Sequence, residues 1–322
     1  MKKIISIVAP MYNEESLVHQ YCKETKEIIA TLEHKYEFEI LLINDGSKDN
    51  TYKIMMEEQE QSPELITTIC LSRNFGLEGA VNAGIRKAIG DAVIVMDADL
   101  QDPLILIPIM IEKWEKGADI VVGSRIKRSN DNFFKRLGAD FYYKILNSLS
   151  GKLKLEKSAA NFRLLSRRAL DQILSLPEVN SVFRITVPFI GMKTDIVKYD
   201  RDKRFSGKTK YNLKSMIPYA LDSITGISIQ PLRKILYILP IIVLFSIISV
   251  IGAVITTELW KIFWISMLVV SIISELIFIV LAIMAEYIAQ IMIEVKGRPI
   301  SIIYEYNPSR SAKVKMCKEE KR

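Results

Sequence analysis

From Ile235 to Thr257 the chain carries no charged residue, and from Phe263 to Tyr287 it is again almost wholly apolar. At ~1.5 Å per residue the first run extends roughly 34 Å as a helix, enough for a hydrocarbon core of ~30 Å. The second run has equivalent length. Only Glu258-Leu259-Trp260-Lys261-Ile262 joins them, so the pair reads as an antiparallel two-helix transmembrane hairpin. Pro240 lies close to the first turns of the first helix, where its missing donor is tolerated. Arg233 and Lys234 precede the first span, and Gln290–Arg322 after the second holds eight basic and four acidic residues. The positive-inside rule then places both termini in the cytoplasm and the protein in the cell membrane. Glu275 falls mid-span, where a carboxylate needs a partner or a wet cavity. A protonated Glu bonded to a neighbouring helix, as in a homo-oligomer, satisfies that need.

The remainder has a different character. Residues 1 to about 230 read as a mixed α/β domain, long enough to bury a core. Three cysteines (Cys22, Cys70, Cys317), widely spaced and odd in number, exclude a disulfide scaffold and a zinc-finger spacing. Two histidines, His19 and His34, in a charged helical stretch, cannot build a His-based metal site. Ile4–Ala9, Phe38–Ile43, Ile66–Leu71, Ala92–Met96 and Ile120–Val122 have the composition of buried strands. Glu14–Glu33, Asn50–Gln61, Leu77–Ile89 and Leu104–Lys116 alternate with them as helices. That alternation predicts a mostly parallel sheet covered on both faces, with ligands bound beyond the carboxyl ends of its strands.

The polar motifs fall at those ends. Pro10-Met11-Tyr12-Asn13-Glu14, Asn44-Asp45-Gly46-Ser47, Ser72-Arg73-Asn74, Asp97-Ala98-Asp99 and Gly123-Ser124-Arg125 follow the five strands in turn. GxGxxG and GxxxxGK[ST] fingerprints are absent, as is a Ser-His-Asp hydrolase arrangement. What remains is a carboxylate design. Asp97 and Asp99, two apart at a strand end, can share one hard divalent cation and leave its other positions to phosphate oxygens and water. Such an ion, acting as a Lewis acid, suits a departing diphosphate.

These motifs, together with Ser72-Arg73-Asn74-Phe75-Gly76, Asp97 through Pro103, Asn161 through Arg168 and Arg204 through Tyr211, resemble glycosyltransferase family 2. More narrowly, the chain is similar to the branch of dolichyl-phosphate mannose synthases and bacterial polyprenyl-phosphate glycosyltransferases, over nearly its whole length. The resemblance implies a nucleotide-sugar-binding GT-A (Rossmann-like) domain, with transfer from a nucleotide sugar to polyprenyl (undecaprenyl) phosphate. It implies that Pro10, Tyr12, Glu14, Asp45 and Asp97 line the nucleotide pocket. Asp97, Asp99 and Gln101 would hold Mg²⁺ or Mn²⁺, and Arg125 and Arg136 the acceptor phosphate. Arg204, Ser206 and Lys210 match a loop that closes over the diphosphate, and Arg and Lys are natural partners of phosphate oxygens. A UDP-glucose or UDP-N-acetylglucosamine donor follows from likeness to bacterial two-span relatives.

Two residues depart from the family pattern. Asn161 stands where relatives have Asp before Phe-Arg-Leu, and an amide cannot act as a base. A lipid monophosphate is already an anion near neutral pH (second pKa about 6), so a positioning role is expected at Asn161 beside the catalytic Asp99 and Arg204. Leu77 stands where relatives often have Lys, a difference that bears on donor choice.

Two stretches connect this domain to the membrane. Asn132–Ser150 spaces Phe133, Leu137, Phe141, Ile145 and Leu149 along one apolar helix face, below a basic collar at Arg125–Arg136. Lys198–Lys214 holds seven basic and two acidic residues before another apolar segment. Both suit a membrane interface, and they account for much of the net charge of +7 without invoking nucleic acid. The expected organisation is therefore a catalytic domain over 1–165, an interface segment over 166–232, the two spans within 233–292, and a basic cytoplasmic tail over 293–322. A polysaccharide synthase fits poorly, because Gln230-Pro231-Leu232-Arg233 is followed by Lys234 rather than Trp and only two spans are present. A non-catalytic sugar-nucleotide-binding scaffold is favoured by Asn161 alone and opposed by Asp97, Asp99 and Gln101.

Overall fold

The short β-branched runs form strands buried on both faces, as a sheet sandwiched between helices requires. The computed structural model of the protein describes residues 2–126, 159–178, 183–200, 244 and 259–319. The chain divides into two compact units. One comprises Met1–Tyr143, Leu153–Asn212 and Pro299–Arg322, the other Lys144–Lys152 and Leu213–Arg298.

In the first unit β1 (Lys3–Met11), α1 (Val18–Ala30), β2 (Tyr36–Asn44), α2 (Thr51–Gln61), β3 (Ile66–Leu71) and α3 (Gly76–Lys87) alternate. They are followed by β4 (Ala92–Val95), α4 (Leu106–Glu115), β5 (Ile120–Arg125), β6 (Ala159–Ser166), α5 (Arg167–Ser175), α6 (Phe183–Phe189) and β7 (Thr194–Tyr199). Among the described residues the sheet runs β7-β5-β6-β4-β1-β2-β3-β8, where β8 is Ile303–Asn307. β1 to β5 and β7 point one way, while β6 and β8 run antiparallel to their neighbours.

One face packs Ile5, Ile7, Ile40 and Ile94 under Tyr21 and Cys22 of α1, Met55 of α2 and Ile107 and Met110 of α4. The other packs Val8, Leu41, Ile43 and Val95 under Val81 and Ile85 of α3, Leu170 of α5 and Val187 of α6. α5 starts at a side-chain cap, with Ser166 Oγ accepting from the Ala169 N–H at 3.1 Å.

All five expected strands and four expected helices are present. The first helix begins at Val18 rather than Glu14, because Asn13 adopts a left-handed φ of 51° and the Glu14 N–H is taken by Thr51 Oγ1. The sheet also runs past the boundary expected at residue 165. β7 pairs with β5, and β8, within the run read as a basic tail, pairs with β3. α8 (Arg310–Glu319) follows β8 and buries Ala312 completely.

In the second unit α7 (Leu259–Lys296) is one continuous helix of 38 residues. It contains the whole of the second expected span and Glu275. Leu259–Ile262, expected in the connecting loop, form its first turn, and it continues past Tyr287 to Lys296. Its stretch Ile272–Lys296 is long and apolar enough to cross a membrane, the one such helix among the described residues. Apart from Leu244, the first expected span lies outside the described residues, as do the interface stretch 132–150 and the basic run 201–214.

Candidate functional site

The carboxyl ends of the parallel strands share one edge of the sheet. β2 and β3 lie to one side of β1 and β4 to the other, so the chain reverses its winding between β1 and β4. A crevice forms at such a switch point. Pro10, buried, and Met11 close β1, and the Asp45 N–H continues the pairing onto Met11 O at 2.9 Å. The next loop is fastened to the one after β2. The Asn13 N–H donates to Ser47 Oγ at 2.9 Å, and Asn13 Oδ1 accepts from the Lys48 N–H at 2.8 Å. Tyr12 and Glu14 sit half-buried on this rim.

Asp45, buried, is held from the β3 side. Its Oδ1 accepts from the Phe75 N–H at 2.7 Å and its Oδ2 from the Gly76 N–H at 3.0 Å, at the start of α3. Burial pushes this carboxyl up to about 6, against the pull of those two N–H groups and of Arg73. Gly46 allows the approach: a Cβ there would lie 2.4 Å from the Arg73 carbonyl carbon and 2.5 Å from the Asn74 nitrogen. Asp45 therefore sits at this edge of the sheet and braces the loop after β2 against the start of α3. Each of its oxygens retains a second lone pair for a ligand donor.

Asp97, half-buried, and Asp99, buried, leave the end of β4. Leu100 takes a left-handed φ of 54°, and Asp99 Oδ1 accepts from the Gln101 N–H at 3.2 Å. A non-glycine residue held in this region costs free energy, and such strain is typical of loops that present functional side chains. Among the described residues no three His, Cys, Asp or Glu side chains gather to cage a metal. Two carboxylates and an amide oxygen are nonetheless the hard donors that Mg²⁺ or Mn²⁺ accepts while keeping positions for phosphate and water. The donor set fits an ion shared with a substrate.

Arg125 ends β5 and is not a free cation. Its Nη2 donates to Asp102 Oδ1 at 3.1 Å and Oδ2 at 3.3 Å, and its Nε reaches Tyr199 Oη at 3.4 Å. The Tyr199 hydroxyl in turn donates to Asp102 Oδ1 at 2.5 Å. Burial alone would lower the Arg125 guanidinium, but Asp102 and Tyr199 hold it above its ordinary value. Burial, then Asp102, push the Tyr199 hydroxyl above the usual tyrosine range, so it remains a donor.

Asn161, buried, stands near the start of β6 at the same edge. Arg163, in the same strand, is 1% exposed, with Nη1 donating to the Phe183 carbonyl at 3.3 Å. The edge thus brings together Pro10, Tyr12, Glu14, Asp45, Asp97, Asp99, Gln101, Arg125 and Asn161. Arg136, Arg204, Ser206 and Lys210 lie outside the described residues. Asp102 and Tyr199 had no role in the sequence reading. The single available signal was Asp102 itself, a further acid three residues beyond Asp99.

Comparison with known proteins gives the arrangement a context. The profile of Glycosyl transferase family 2 matches residues 6–174. The uncharacterized glycosyltransferase YkcC of Bacillus subtilis is 36% identical, over 92% of this chain and 92% of its own length. The bactoprenol glucosyl transferase of Shigella phage SfII is 39% identical, over 93% of this chain and 97% of its own. The prophage bactoprenol glucosyl transferase homolog of Escherichia coli K12 is also 39% identical, over 93% and 98%.

Proposed function

The chain belongs to glycosyl transferase family 2, and on that footing we propose that it moves a sugar from a nucleoside-diphosphate donor to polyprenyl phosphate at the membrane. Its mostly parallel mixed sheet is the GT-A fold. The observation that carries the acceptor is similarity over 93% of the chain to bactoprenol glucosyl transferases, and the membrane-length apolar stretch Ile272–Lys296 agrees with it. The donor by the same likeness is UDP-glucose, with UDP-N-acetylglucosamine as the close alternative.

The donor lies in the crevice between β1 and β4, its base and ribose against Pro10, Tyr12, Glu14, Asp45 and Asp97. Asp97, Asp99 and Gln101 would hold Mg²⁺ or Mn²⁺, and the chemistry such an ion would supply is neutralisation of charge on the diphosphate. The acceptor phosphate, already an anion, attacks the anomeric carbon. A bond forms from its oxygen to that carbon while the bond to the diphosphate oxygen breaks, and the nucleoside diphosphate leaves with the electron pair. One in-line displacement inverts the anomeric configuration. Arg125 and Arg136 hold the acceptor phosphate, and Arg204, Ser206 and Lys210 close over the diphosphate. Asn161 orients groups without taking a proton. Catalysis then rests on bringing two anions together and screening their repulsion. We place the chain in the membrane as a two-span hairpin, 235–257 and 263–287, with both termini cytoplasmic and the protein self-associated.

The test is transfer of labelled sugar into the organic phase by detergent-solubilised protein. It uses undecaprenyl phosphate and a panel of nucleotide sugars, with and without Mn²⁺. Metal-dependent product from one donor, lost in Asp99→Ala, is expected. Turnover absent with every donor contradicts the reading; recovery in Asn161→Asp would then assign a required carboxylate to that position.

A further inference from the structure

Resting on that reading, we propose that Asp102 and Tyr199 are positioning residues for the acceptor, locking the Arg125 guanidinium so that its remaining N–H groups meet the lipid phosphate. The three side chains form a closed ring. Asp102 accepts from both Arg125 and Tyr199, and Tyr199 accepts from Arg125 while donating to Asp102. Rigid elements carry two of them, since Arg125 and Tyr199 are register partners across the parallel β5–β7 pair. The third, Asp102, follows directly on the Asp97–Gln101 loop. The acceptor arginine is therefore tied to the donor-side loop through one carboxylate.

Charge argues for orientation as the purpose. A carboxylate beside a site for two anions works against binding unless its charge is spent elsewhere. The Asp102 side chain is fully buried, with both oxygens engaged by Arg125. Those bonds use the Nε and Nη2 edge of the guanidinium. Among the described residues the hydrogen bonds of Arg125 run from Nε and Nη2 alone, and Asp97 adds only an electrostatic pull on the guanidinium. An arginine fixed on one edge presents the other as a planar donor whose ordering has already been met within the fold.

The experiment is steady-state transfer to undecaprenyl phosphate, with KM measured separately for acceptor and donor. Asp102→Asn keeps the shape and one acceptor oxygen but loses charge. It should raise the acceptor KM roughly tenfold, the size of one charge-assisted hydrogen bond, and leave the donor KM within about twofold. Tyr199→Phe should move the acceptor KM the same way by roughly threefold, the size of a weaker hydrogen bond. Because Arg125→Met alone would strand a buried carboxylate, the reference background is Asp102→Asn with Arg125→Met. Adding Tyr199→Phe to that background should leave the acceptor KM unchanged. A purely structural ring predicts otherwise: both KM values shift together, or the Tyr199→Phe effect persists without Arg125, and either result overturns the proposal. No transfer by the wild type to any lipid phosphate is a separate outcome, read before any variant is made, and overturns the functional reading itself.

Discussion

Replacing Gly46 by alanine should injure the crevice more than any other single methyl in its loops. Gly46 has a φ of 63°, and a left-handed backbone costs an L-residue roughly 1–2 kcal/mol. The added Cβ would also stand 2.4 Å from the Arg73 carbonyl carbon, about 1 Å inside ordinary contact, and the three nearest atoms it meets are all backbone. Residues 73 and 74 must retreat, drawing the Phe75 and Gly76 N–H groups away from Asp45. Each bond to a charged group contributes roughly 1.5–3 kcal/mol, and partial loss of two adds roughly 2–3 kcal/mol. The sum is roughly 3–5 kcal/mol, or about 6–20 °C in Tm at roughly 2–4 °C per kcal/mol for a domain of this size. Gly76 supplies the control. Its φ is 82°, yet a Cβ there meets nothing within 4 Å, so Gly76→Ala should show backbone strain alone, roughly 1–2 kcal/mol. Thermal unfolding of both variants in detergent, with calorimetric titration of nucleoside diphosphate, reads the contrast. A Gly46→Ala protein as stable as Gly76→Ala, with wild-type nucleotide affinity, would refute the loop-contact reasoning.

Other expectations follow from the same structure. Glu39 is fully buried, accepting from Ser6 Oγ at 2.8 Å and Thr67 Oγ1 at 3.0 Å, and burial raises its pKa. A carboxyl raised in the folded state contributes stability below its unfolded pKa that is lost as pH rises through the folded value. The Tm advantage of Glu39→Gln over wild type should therefore grow from pH 5 to pH 8, and a gap independent of pH would count against it. Truncation after residue 298 removes β8 and the Ser309 N–H that donates to Thr67 Oγ1 at 3.0 Å, and exposes the β3 edge. Size-exclusion profiles should show aggregation; a monodisperse protein with wild-type Tm would contradict the structural role given to the tail. Chelation with EDTA should abolish transfer, restored by Mn²⁺ or Mg²⁺. Asp99→Asn should lower kcat/KM roughly 10²–10³-fold, whereas full activity in EDTA would remove the ion from the account.

How much of this was legible in the sequence depended on distance along the chain. β1 to β5 show as short runs rich in β-branched and aliphatic residues because both faces are buried, and the polar motifs follow them directly. β6 was hidden by its own chemistry, since Arg163 and Asn161 are polar residues buried inside a strand. β8 pairs with a strand more than two hundred residues earlier, and its basic surroundings read as a tail. The Asp102–Arg125–Tyr199 ring joins residues 23 and 97 positions apart, which no local spacing encodes. His19, expected as an ordinary helix residue, pairs with Glu58 at 2.7 Å beside Lys26, a link between α1 and α2.

Coupled transfer of sugar to the lipid phosphate is tested by following both products of one reaction. Purified protein, the donor selected from the panel and undecaprenyl phosphate are mixed, and released nucleoside diphosphate is counted against sugar recovered in the lipid phase. Equal amounts are expected, both requiring the lipid phosphate. Diphosphate released at the same rate without the lipid, and no sugar in the organic phase, would contradict it.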